Sequence, residues 1–77
     1  MNAGEFVQAV IRESERAEAK HPKFPTLHHS YAVLLEEVDE FKAEVWKQSD
    51  ARDNAAMRKE LIQIAAMCLR TVEDLNL

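Results

Sequence analysis

Glutamates are the residues of this chain whose types and spacing best suit chemistry. Glu36, Glu37, Asp39 and Glu40 crowd into five residues, and no basic residue follows until Lys42. Glu37 and Glu40 are three apart, a spacing that sets one carboxylate above the other on a single helix face. Further along, Glu60 and Gln63 repeat that interval. Like charges so placed repel, and a hard divalent cation relieves the repulsion. Mg2+ takes oxygen ligands in octahedral geometry and often bridges carboxylates to a phosphate chain. The pattern therefore predicts a site for Mg2+, with Mn2+ as a substitute, built from Glu37, Glu40, Glu60 and Gln63. The plain alternative is a pair of solvated, Glu-rich helix faces, and spacing alone leaves both readings open.

Three helical segments are expected to position these residues, over about residues 5–20, 29–47 and 54–75. In the first, Phe6, Val10 and Ala17, with Ala9 and Ile11 beside them, form a modest apolar stripe. Its charged residues, Arg12, Glu13, Glu15, Arg16 and Glu18, read as a solvated face. Pro22 and Pro25 end this helix and push His21 and Phe24 out of helical geometry, leaving an extended linker with Phe24 as its anchor. The second helix has the clearest pattern: Tyr31, Leu34, Leu35, Val38, Phe41 and Val45 follow amphipathic spacing. On a wheel of about 100° per residue, Glu37, Glu40 and Glu44 share one flank of that stripe, with Glu36 further round. A short polar connection follows, in which Ser49, Asp50 and Asp53 are candidate N-caps. The third helix carries Leu61, Ile64, Ala65, Cys68, Val72 and Leu75 as its main stripe, with Cys68 expected as a core thiol. Glu60, Gln63 and Met67 lie on its flank.

The expected architecture is all-α: one domain over residues 1–77, with a central antiparallel helical hairpin. The segment from Leu61 to Leu69 is apolar on nearly every side and needs more cover than two short helices provide. A homodimer forming a larger helical bundle, or a dimer of dimers, is the expected assembly.

Composition narrows the function classes. Of 77 residues 47% are hydrophobic and 31% charged, the balance of a globular chain rather than a disordered one. The single glycine excludes Gly-rich phosphate cradles, so any phosphate must be held by side chains and a metal. One cysteine permits no internal disulfide, which suits a reducing, cytoplasmic setting. No signal segment is expected at the start, and no apolar run is long enough to span a membrane. The net charge of −4 argues against nucleic acid and anionic membranes as partners. That charge is concentrated: residues 34–46 hold five acids against Lys42, and the remaining acids and bases cancel. His21, His28 and His29 lack the spacing of a zinc site, and only one glutamate, Glu18, has histidine three residues later, where a di-iron bundle requires that pair on two helices.

The run Leu35-Glu36-Glu37-Val38-Asp39-Glu40-Phe41, followed by Lys59-Glu60-Leu61-Ile62-Gln63-Ile64-Ala65, resembles the MazG-like all-α nucleoside triphosphate pyrophosphohydrolases. That superfamily carries E-E-x-x-E on one helix and E-x-x-D on the next, and the resemblance covers about residues 30–75. It implies Mg2+-dependent cleavage of a nucleoside triphosphate to the monophosphate and pyrophosphate. Glu37 and Glu40 match the first metal-binding pair, Glu36 the preceding acid, and Glu60 the first residue of the second pair. Gln63 departs from the expected aspartate; its neutral carbonyl can ligate but brings no charge. On this resemblance Glu36 or Glu37 is the base for the attacking water. Lys59, Arg58, Lys47 and Arg70 are candidate phosphate contacts, and Trp46, Phe24 or Tyr31 offer stacking surfaces for a base. Glu44 is a further carboxylate one turn beyond Glu40. The competing expectation is a non-catalytic helical interaction module in which the glutamates are surface and the third helix is an assembly seam.

Overall fold

The computed structural model describes all 77 residues and contains three α-helices and no strand: α1 (Ala3–Lys20), α2 (Leu27–Val45) and α3 (Asn54–Asp74). A single 3-10 turn, Ser49–Ala51, lies between α2 and α3. No helix is long and apolar enough to cross a membrane.

Local chemistry sets each boundary. Asn2 accepts from Glu5 N at 2.9 Å while Glu5 Oε1 accepts from Asn2 N at 3.1 Å. This capping box starts α1 two residues before the expected Glu5. Thr26 Oγ1 accepts from His29 N at 3.1 Å and starts α2 at Leu27, again earlier than expected. The Arg52 side chain donates to the Val45 carbonyl at 3.0 Å, at the last residue of α2, which closes short of Lys47. Of the three candidate caps in the second connection, Asp53 is the one used, accepting from Ala55 N at 2.8 Å. At the far end of α3, Asn76 takes the left-handed conformation that asparagine tolerates.

Both α1 and α2 pack on α3. Small residues allow the α1 approach: Ser14 and Ala17 are buried, as is Ala66 on α3. On the other side Ser30 of α2 meets Thr71 of α3. The single hydroxyl hydrogen of Thr71 goes to the Met67 carbonyl at 2.7 Å, so Ser30 is the donor in that pair.

The expected linker anchor holds. Phe24 is buried at 7% exposure, and its backbone N–H donates to Asp74 Oδ2 at 3.0 Å. Arg70 lies over its ring at 4.5 Å and donates to the Pro22 carbonyl at 3.1 Å. Arg70 and Asp74 are themselves 3.6 Å apart and almost wholly buried. Ala17, Phe24, Ala66 and Met67 form the small core.

Two expectations about α3 are corrected. Cys68 is exposed, not a core thiol. Arg70 is buried at 3% exposure and holds the linker, so it is not a free phosphate contact. The cause is common to both. Covering Phe24 and α1 turns Ala66, Met67 and Arg70 inward, and helical rotation then carries Leu61, Cys68 and Val72 outward.

Candidate metal centre

α2 and α3 bring three of the expected ligands together. Carboxylate oxygens of Glu37, Glu40 and Glu60 all lie within 4.8 Å of one another. Glu37 and Glu60 are half-buried and Glu40 is exposed, so the group sits at the edge of the α2–α3 contact. The Oε2 atoms of Glu37 and Glu60 are buried without a hydrogen-bond partner. A buried carboxylate oxygen in that state is costly unless a proton or a cation answers it.

The electrostatics express the same crowding. Burial, reinforced by the neighbouring Glu40 and then by Glu60 and Glu36, pushes the Glu37 carboxyl up to about 7. Glu60 is also raised, first by burial and then by Glu40, with Lys59 pulling the other way and Glu44 adding to the rise.

The donor set fits a hard dication. On an octahedral ion with bonds of ~2.1 Å, oxygens at opposite corners stand about 4.2 Å apart. Oxygens that all lie within 4.8 Å of one another reach that spacing with at most a small side-chain adjustment. An ion held by these three carboxylates would keep its remaining corners for water, the usual habit of Mg2+.

The other expected residues are spread around this trio. Gln63 lines a cavity of about 500 Å³ together with Glu37, Phe24 and Arg70. Its side chain is also among the groups that hold the Glu13 carboxyl of α1 below its ordinary range, after the dominant hydrogen bond from Arg16. Gln63 therefore couples α3 to α1 and shares a cavity wall with Glu37. Glu36 is exposed next to the cluster. Glu44 is half-buried, and its Oε2 lies 2.9 Å from Lys47 Nζ. Its charge is thus answered, though that oxygen has no aligned hydrogen bond, and Lys47 is committed to it. Trp46 is 74% exposed, with Lys42 over its ring at 5.6 Å. Arg58 and Lys59 face α1 across an open groove that Arg12 and Arg16 also line. The i, i+4 interval of Arg12 and Arg16 puts both on one face of α1, expected as solvated, but nothing local says what they oppose.

Comparison with protein-family models, with curated proteins and with solved structures finds no match for this chain.

Proposed function

We propose that this chain is a metal-dependent nucleotide pyrophosphohydrolase of the MazG-like kind, acting on a nucleoside triphosphate in the cytoplasm. The observation that carries the reading is the trio Glu37, Glu40 and Glu60, with two buried oxygens that have no partner. An antiparallel α2–α3 hairpin accounts for the trio. Ser30 meets Thr71 and Glu40 meets Glu60, so contacts descend α3 as they ascend α2.

Bound there, Mg2+ or Mn2+ would neutralise and orient the phosphates and lower the pKa of the attacking water. The protein's own part is narrower. Glu37, Glu40 and Glu60 present oxygens from two helices, and Gln63 offers a neutral carbonyl beside them. Glu36 or Glu37 receives the proton of the water that attacks the α-phosphorus. Lys59 and Arg58 stand on the same stretch of α3 as Glu60 and supply charge for the phosphates. Lys47 is paired with Glu44, which leaves the exposed Trp46 as the substrate contact at the end of α2.

The direct test is calorimetry with Mn2+ followed by pyrophosphate release from a panel of nucleoside triphosphates. No heat and no release would overturn the reading. Gln63→Asp adds the missing negative charge and is expected to tighten Mn2+ binding by about tenfold, since ligand charge sets affinity. Unchanged affinity would show that position 63 lies outside the ion's reach.

The proposal includes a homodimer. Tyr31, Leu35 and Val38 form one exposed strip of α2, and Leu61, Cys68 and Val72 one exposed strip of α3. A folded monomer of 8.8 kDa should expose about 4,800 Å². This chain exposes 5477 Å². The excess, about 700 Å², approaches the ~800 Å² that each partner buries in a stable interface. Sedimentation at micromolar concentration is expected to give twice the chain mass, and Leu35→Lys to return it to the monomer. A wild-type monomer would remove the dimer and would favour a module that docks on another protein.

A further inference from the structure

Away from the carboxylates, α1 and the first half of α3 enclose an open groove of about 600 Å³. Arg12 and Arg16 line it from α1, Arg58 and Lys59 from α3, and Glu13 is the one acid in its walls. Arg16 is paired with Glu13. Arg12, Arg58 and Lys59 have no ion-pair partner in the chain. All four cations are exposed. A protein of net charge −4 therefore gathers an excess of positive charge into one concavity and leaves most of it unanswered.

Such convergence is unfavourable until an anion enters. Guanidinium forks match phosphate oxygens two at a time, and a lysine adds a point charge. Glu13, Arg16 and Gln63 line both this groove and the cavity that reaches Glu37, so the two spaces meet at Gln63. From these facts we infer that the groove is a diphosphate-binding site. Arg12, Arg58 and Lys59 supply the free charge, and Arg16 supplies a fork that it shares with Glu13. Resting on the function proposed above, the occupant is the β,γ-diphosphate of the nucleotide, the part released as pyrophosphate. The acidic cluster and the basic groove thus take adjoining parts of one phosphate chain, with Gln63 between them.

The test uses wild-type protein in a chelator, so that metal at the carboxylates plays no part. Inorganic pyrophosphate is titrated by calorimetry, beside orthophosphate and a short single-stranded oligonucleotide. Pyrophosphate is expected to bind more tightly than orthophosphate, and to weaken steeply with added salt. The variant Arg12→Gln/Arg58→Gln, which breaks no ion pair of the fold, should lose about tenfold or more in affinity while melting like wild type. Equal affinity in the variant overturns the site, and an oligonucleotide that binds as tightly as pyrophosphate overturns the diphosphate assignment. A nucleoside triphosphate with Mn2+ should displace bound pyrophosphate; failure to displace overturns the nucleotide as its source in favour of free polyphosphate. Pyrophosphate binding without triphosphate hydrolysis would leave the groove standing and remove the hydrolase reading. Hydrolysis without pyrophosphate binding would do the reverse.

Discussion

Replacing Glu37 and Glu40 together by glutamine will stabilise the metal-free protein while abolishing its response to Mg2+ or Mn2+. The gain comes from removing a repulsion. In the folded chain the Glu37 carboxyl is pushed up to about 7 by burial and then by Glu40, whereas an unfolded glutamate titrates near 4.5. A raised acid favours the fold below the unfolded pKa and loses that advantage as pH rises through the folded one. The penalty is therefore absent near pH 4.5, grows through the interval, and is complete just above pH 7. Discounted for the partial solvent access of Glu37, it is about 1 kcal/mol, or roughly 4–8 °C of melting temperature in a domain this small. The introduced amides can donate to Glu60, which a carboxylate cannot.

The same two substitutions remove two of the three charged ligands, and any metal-dependent hydrolysis should fall by at least about 100-fold. Mn2+ affinity of the wild type should itself rise with pH through about 7, because the ion competes with the proton on Glu37. Melting curves at pH 5 and pH 8, with and without Mn2+, check both halves. If the double variant melts like wild type at pH 8 and both ignore Mn2+, these carboxylates are an ordinary solvated face.

The second large effect concerns the knot at the far end of α3. Asp74→Ala should destabilise the fold by about 3–5 kcal/mol, because it leaves the buried Arg70 guanidinium without its counter-charge. Asp74 Oδ2 also accepts the Phe24 N–H at 3.0 Å, so the substitution orphans a part-buried backbone donor as well. A domain of this length has only about 4–12 kcal/mol of stability in total. Urea melts should therefore show a midpoint lowered by about a quarter or more. Pairing Asp74→Leu with Arg70→Met removes both charges and should recover much of the loss, as buried ion pairs replaced together often do. A single substitution costing under about 1 kcal/mol would show that water reaches the pair and that Phe24 alone holds the linker.

Fold class and element order were legible in the residues because they depend on local rules. Pro22 and Pro25 cannot continue the helix that precedes them, and the spacing of Leu34, Val38, Phe41 and Val45 gathers apolar side chains on one face only in a helix. The carboxylate pairs were legible for the same reason, since residues three apart share a helix face in any fold. Helix ends were less so. α1 and α2 each begin two residues early because Asn2 and Thr26 cap them, and a cap competes with other polar residues nearby.

What only the tertiary structure decided is how each helix is rotated and what it faces. A wheel centres α3 on Leu61, Cys68 and Val72, its most apolar line. The chain instead turns Ala66, Met67 and Arg70 inward, because small side chains let α1 approach and Arg70 reaches Phe24 and Pro22. That rotation exposes Cys68 and removes Arg70 from solvent. It also sets Arg58 and Lys59 opposite Arg12 and Arg16, a juxtaposition no single helix encodes. The acidic residues were chosen by sequence alone; that Glu37, Glu40 and Glu60 meet within 4.8 Å was settled by packing, because the spacing of residues along one helix is local while the distance between two helices is not.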